Sequence, residues 1–238
     1  MLISAHVLVK DEETTVEYSI KSILDYVDEV VVWVDPMSTD KTGEIINELV
    51  FSYPEKVKRV FFLRPEKVHN GILKFDKPVA RTELLKHQKG DVVFILDGDE
   101  VYSEEAIKKI IEIIRNSGPE VMTWAWTSRY FSGKNNYAAD IVMTRAMRRT
   151  PDLKFVEFVT DIFPKTEKAD WIHDIPAYNE GPIHSHPKNH KIIDAWHFHF
   201  PFRSSEQFWF EKHAYNGSYP EVLPDDFDFS KLFKDEKQ

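Results

Sequence analysis

Two runs of this chain, VVVWV at Val30–Val34 and VVFIL at Val92–Leu96, are apolar at every position. A strand with one face in water alternates polar and apolar side chains, so a strand with no polar position is buried on both faces. Such strands belong to parallel sheets with helices packed on each side. The segments around them supply those helices. Val16, Ile20, Ile23 and Leu24 recur at helical spacing between Glu12 and Tyr26, and Ile45, Ile46 and Leu49 do so between Thr39 and Phe51. ISAHVLVK (3–10) and VKRVFFL (57–63) read as further strands, and Pro78 to Lys89 as a third helix. Ser103 is placed to cap a fourth helix whose first turn carries Glu104 and Glu105, and Asn116-Ser117-Gly118-Pro119 ends it. After Pro119 the rhythm changes. EVMTWAWTSRYF and DIVMTRAMRR read as strands without helices between them, followed by a loop-rich part dense in His, Pro and aromatics. The expectation is an α/β fold: a Rossmann-like, mostly parallel sheet flanked by helices, with a mixed β/loop C-terminal half. It forms a single domain over 1–238, with a break in character between residues 118 and 119.

In open parallel sheets ligands bind beyond the C-terminal ends of the strands. Two of the strands end in carboxylates there: Asp35 after VVVWV, and Asp97, Asp99 and Glu100 after VVFIL. Three acids on one turn repel one another unless something positive sits among them. Asp97-Gly98-Asp99 can offer hard oxygen ligands to Mg or Mn, with Gly98 permitting a tight turn and a close approach. The bland alternative is an Asp-Gly turn whose charges point into water. In DPMSTDKT (35–42), Ser38, Thr39 and Asp40 serve equally well as helix caps, whereas Asp35 sits on the strand end, where it can accept from a ribose hydroxyl or a base N–H. His184, His186, His190, His197 and His199 cluster late, and His197 and His199 share a face if AWHFHF is extended. Trp124, Trp126, Trp196 and Tyr130 are either core or stacking platforms for a ligand ring.

Composition excludes several classes. The net charge of −9 argues against nucleic-acid binding, and the absence of cysteine removes disulfides and thiolate metal sites. The longest apolar runs are too short to cross a bilayer, and MLISAHVLVK lacks the basic start and cleavage site of a signal peptide. A cytoplasmic protein, or one peripheral to a membrane, is expected. P-loop, G-x-G-x-x-G, G-x-S-x-G and H-E-x-x-H patterns do not occur.

The motifs together resemble family 2 glycosyltransferases of the GT-A fold. The likeness runs over about residues 4 to 101. It comprises VKDEE (9–13), SIKSILDYVDEVVVWVD, DPMSTDKT, and ARTELLKHQKGDVVFILDGDE with its Asp-x-Asp motif. The resemblance implies sugar transfer from a nucleotide-sugar, a UDP- or GDP-sugar, to the hydroxyl of a glycan, lipid or protein acceptor, with inversion and with Mn or Mg. On it, residues 1–118 are the nucleotide-binding half and 119–238 the acceptor half with a C-terminal extension. Lys10, Glu12, Asp35, Arg81 and Asp97 contact the nucleotide-sugar, and Asp97 and Asp99 hold the metal. HFPFRSSEQF (199–208) is similar to a segment that makes His199 the third metal ligand and puts Arg203 near the diphosphate. DLKFVEFVTDIF (152–163) is similar to a segment ending in the general base, which makes Asp161 the base and Glu157 its competitor. Departures are Pro36 for the second Asp of the nucleoside motif and Asp11 for an Asn. The rival readings are a nucleotidylyltransferase, which would want a Gly-rich basic loop where KDEETT stands, and a non-catalytic nucleotide- or carbohydrate-binding protein on the same fold.

Overall fold

The computed structural model describes residues 1–69, 72–131, 137–158, 173–178, 181–182 and 189–200. The strands are β1 (Ile3–Val9), β2 (Glu29–Val34), β3 (Val57–Val60), β4 (Glu66–His69), β5 (Ile72–Phe75), β6 (Val92–Leu96), β7 (Glu100–Val101), β8 (Thr123–Phe131), β9 (Tyr137–Arg148), β10 (Lys154–Phe158), β11 (His173–Tyr178), β12 (Gly181–Pro182) and β13 (His190–His199). The helices are α1 (Val16–Ile23), α2 (Thr42–Ser52), α3 (Lys77–Leu85) and α4 (Glu104–Arg115).

The main sheet has the order β3-β2-β1-β6-β9-β8-β13-β7. β3, β2, β1 and β6 are mutually parallel, as the apolar runs of β2 and β6 require. β9 then runs antiparallel to both β6 and β8, and β13 lies parallel to β8. The sheet is therefore mostly parallel, with the expected change of character after residue 119. One face packs Ile3, Ala5, Val7, Val30 and Val32 against Ile20, Ile46, Ile107 and Ile110 of α1, α2 and α4. The other face packs Val31, Trp33 and Val60 against Leu84 of α3. α4 shows the pattern most clearly, with Ala106, Ile107, Ile110, Ile111 and Ile114 buried and the Ser103 hydroxyl accepting from the Ala106 N–H.

Two details differ from the sequence reading. The hairpin β4–β5 occupies a stretch in which no element was expected. The first two helices begin later than Glu12 and Thr39, at Val16 and Thr42, and neither has a side-chain cap. The polar residues in front of them bond across to each other instead. The Thr39 N–H donates to Asp11 Oδ1 at 2.7 Å, the Glu12 N–H to Thr42 Oγ1 at 2.6 Å and the Glu13 N–H to Asp40 Oδ2 at 2.9 Å. These bonds tie the loop after β1 to the loop after β2, and Asp11 takes a positive φ of 54° within them. Among the described residues, no helix is long and apolar enough to cross a membrane.

Candidate active site

β2 and β6 flank β1, so the parallel register brings Asp35 and Asp97 to the same edge of the sheet. The acidic turn that follows β6 is closed by the Glu100 N–H donating to the Asp97 carbonyl at 3.2 Å. The Ser19 hydroxyl donates to the same carbonyl at 2.9 Å, which anchors the turn to α1. Gly98 is required by close approach: a Cβ there would lie 2.7 Å from Val9 Cγ1 and 2.9 Å from Glu12 Cγ. Glu12 is thereby placed against the turn, while Lys10 pairs with Asp11 at 3.3 Å.

The positive charge among the acids comes from the protein. Arg81 of α3 reaches Asp97 Oδ1 with Nη2 at 2.6 Å, and Arg145 of β9 reaches Asp97 Oδ2 with Nη1 at 2.9 Å. Arg145 Nη2 also contacts Glu100 Oε1. Both arginines are buried, 2% and 3% exposed, and Glu100 is 0% exposed. Burial alone would push the Asp97 carboxyl up, but the Arg145 and Arg81 guanidinium groups outweigh it and hold the group well below the usual carboxylate range. Arg145 was not among the residues expected at this site. An arginine in MTRAMRR reads as a surface charge, and only the question of what neutralises three adjacent acids pointed toward a partner of this kind.

β7 pairs with β13, setting His199 opposite Glu100. His199 Nε2 lies 3.4 Å from Asp99 Oδ2, and its Nδ1 lies 3.5 Å from Glu100 Oε1. Burial acts to lower the pKa of this ring, but Asp99 and then Glu100 outweigh it, so His199 is raised from its ordinary value. His197 is lowered, first by burial. The Trp126 indole N–H donates to His197 Nδ1 at 3.1 Å, which leaves the proton of the neutral ring on Nε2, 3.2 Å from Glu100 Oε1 and 3.0 Å from Ser128 Oγ. Tyr102 stacks on the same ring at 4.7 Å.

Glu100, His197 and His199 each bring a potential ligand atom to within 4.8 Å of one another. Their partners decide which of them suits a cation. Both His197 nitrogens are engaged and Glu100 is held by a guanidinium, so ligation there would break a buried network. Asp99 and His199 are the better pair. Two atoms each about 2.1 Å from one ion lie roughly 3 Å apart when adjacent in an octahedron, and Asp99 Oδ2 and His199 Nε2 are 3.4 Å apart. An oxygen and an imidazole nitrogen together suit Mn.

Asp35 is almost fully buried. Its carboxylate takes the Arg64 Nε–H at 3.0 Å and the Met37 N–H at 2.9 Å. Arg64 also contacts Glu66 and lies over the Phe75 ring at 4.8 Å, so the unexpected β4–β5 hairpin completes this corner. Of the aromatics read as either core or stacking platforms, Trp124 and Trp126 are fully buried core. Trp196 sits under the Arg129 guanidinium at 4.0 Å. Asp161, Arg203, His184 and His186 lie outside the described residues, as does the Tyr130 side chain. Glu157 is on β10, opposite Asp174 of β11, but its side chain is outside the described portion.

The Glycosyl transferase family 2 profile matches residues 4–215. A search of curated proteins gives no match. Among solved structures, Staphylococcus aureus TarS 1–349 in complex with UDP is similar at 22% identity and a TM-score of 0.41, over 56% of this chain and 37% of that one. Glucosyl-3-phosphoglycerate synthase from Mycobacterium tuberculosis, in complex with Mn2+, UDP and glucosyl-3-phosphoglycerate, is similar at 22% identity and a TM-score of 0.40, over 54% of this chain and 44% of that one. The matched region thus spans less than half the length of either relative. The profile match covers most of the sequence, and the chain belongs to glycosyl transferase family 2.

Proposed function

We propose that the chain transfers a sugar from a nucleotide-diphosphate sugar to an acceptor hydroxyl, with inversion and with the help of Mn or Mg. The observation that carries the reading is the convergence of Asp99 and His199 at 3.4 Å, at the end of the sheet where Asp35 also sits. Family membership supplies the reaction class. Asp99 and His199 would hold the divalent ion, while Asp97, expected beside them as a ligand, has both carboxylate oxygens engaged by Arg81 and Arg145. When bound, that ion supplies Lewis-acid stabilisation of the charge that builds on the leaving diphosphate.

The chain's own residues do the rest. Asp35 with Arg64, Lys10 and Glu12 face the nucleotide, and Arg81 and Asp97 frame its diphosphate side. Arg203 reaches the diphosphate from the C-terminal part. Asp161 takes the acceptor proton as the hydroxyl attacks the anomeric carbon, with Glu157 as the alternative base. Residues 1–118 form the nucleotide half and 119–238 the acceptor half, although Arg145 and His199 reach back into the acidic turn. UDP- and GDP-sugars are the donor candidates, and the acceptor is a glycan, lipid or protein. Thermal shift of the purified chain against UDP, GDP and their sugars, with and without Mn, tests this. A Mn-dependent rise with one nucleotide supports the proposal, and no rise with any of them rejects it.

A further inference from the structure

At the end of β2, the acid expected to contact the nucleoside has almost no surface left for a ligand. The Asp35 side chain is 1% exposed. Its oxygens accept from the Arg64 Nε–H at 3.0 and 3.1 Å and from the Met37 N–H at 2.9 Å. What this corner presents outward is Arg64, whose side chain is 19% exposed.

Arg64 is held as a plane rather than as a loose charge. Nε is engaged by Asp35 and Nη1 by Glu66, which fixes the orientation of the guanidinium. It lies over the Phe75 ring at 4.8 Å. Phe75 in turn stacks on Trp33 at 5.7 Å with the planes 7° apart, and Trp33 stacks on Phe62 at 4.9 Å and 10°. Trp33 belongs to β2 and is buried, so these near-parallel rings are anchored in the sheet and Arg64 closes them on the outside. Among the described residues, no second ring contacts the guanidinium, and Nη2 has no partner.

We propose that Arg64 is the platform on which the base of the nucleotide donor stacks, and that Asp35 is the positioning residue that holds it there. A guanidinium is planar, weakly hydrated and stacks on aromatic faces, and every base has such a face. A base laid on the side away from Phe75 continues the run of planes. Nη2 can then donate to a ring carbonyl, which uracil and guanine both carry. β2 and β6 lie on either side of β1, so Asp35 and the acidic turn end strands about 10 Å apart across the sheet, a gap that a ribose and its phosphates bridge. The inference rests on the proposed function and places the base within it.

Titration calorimetry on the purified full chain at saturating Mn compares UDP and GDP with inorganic pyrophosphate, which carries two phosphates and no base. Arg64→Met should weaken the bound nucleotide about fivefold or more and leave pyrophosphate unchanged. Arg64→Lys keeps the charge and loses the plane, so it should behave like Arg64→Met. Unchanged nucleotide affinity in Arg64→Met, a parallel fall for pyrophosphate, or recovery in Arg64→Lys overturns the inference and leaves the functional reading standing. Should the Arg64 variants fail to fold because Asp35 loses its buried partner, Phe75→Leu keeps the ion pair and removes the ring beneath the guanidinium. It should weaken the nucleotide and spare pyrophosphate, and an unchanged nucleotide affinity there overturns the inference. A wild-type chain that binds neither nucleotide in the presence of Mn overturns both.

Discussion

His6 sits at the centre of β1, paired to Val31 on one side and Ile95 on the other, with no exposed surface. Its Nδ1 meets Gln88 Oε1 at 3.2 Å, its ring stacks on Phe155 at 5.2 Å, and its buried Nε2 has no hydrogen-bond partner among the described residues. Burial, and then the nearby Arg81 charge, push its pKa down to about 3. In the unfolded chain the imidazole titrates near 6.5. Between these values the unfolded state binds the extra proton, so stability rises with pH and is lost as pH falls below about 6.5. From pH 7 to pH 5 the loss is about 2 kcal/mol, set by the unfolded value because the folded group stays neutral throughout. Urea unfolding at the two pH values reads this as a midpoint drop of roughly 1 M attributable to His6. His6→Phe keeps a ring against Phe155 and has nothing to titrate. It carries a fixed offset, and its midpoint should fall by about 1 M less than that of wild type over the same interval. An equal decline in both proteins would refute the argument, since the acid sensitivity would then come from other groups.

Further outcomes follow from the site. Gly98→Ala should cost about 1–3 kcal/mol in unfolding free energy, because the new methyl group meets Val9 and Glu12; a neutral effect would show that the turn has room to spare. Asp35→Asn should destabilise by about 1–3 kcal/mol through the loss of its charged bond to Arg64, measured as a fall in the urea midpoint at pH 7. In Mn titrations, Asp99→Asn and His199→Ala should weaken affinity at least about tenfold, while His197→Ala should do so much less; equal effects of the two histidines would reject the Asp99–His199 pair. Asp161→Asn should cut transfer roughly 100-fold with Mn and nucleotide affinity unchanged, and a fall of that size in Glu157→Gln instead would move the base to Glu157.

How far the sequence discloses such a site depends on the range of the interactions involved. VVVWV and VVFIL announce a parallel sheet because burial on both faces is written into every residue. Asp35, Asp97 and Asp99 follow from where those strands end. The β4–β5 hairpin is hidden, because EKVH and ILKF are four-residue strands that mix charges with apolar groups and carry no sustained period. The starts of α1 and α2 are misplaced because Ser38, Thr39 and Asp40 look like caps of one helix and are also bonded across to the loop after β1. Arg145 is the instructive case. Nothing local separates it from Arg148 or Arg149, and its partners lie 45 and 48 residues away on a different strand and its turn. Glu100, likewise, looks like a third acid on a solvent-facing turn, whereas pairing of β7 with β13 buries it between Arg145 and His197.

The central claim is that this turn holds a nucleotide-sugar ready for transfer, and slow donor hydrolysis tests it without knowledge of the acceptor. The purified chain is incubated with Mn and each member of a panel of UDP- and GDP-sugars, and release of free nucleoside diphosphate is followed over time. The account predicts release from one donor, abolished by omitting Mn and by Asp99→Asn. Tight, Mn-dependent binding of a nucleotide-sugar with no release from any donor would contradict it, and would make the chain a binding protein on a glycosyltransferase fold.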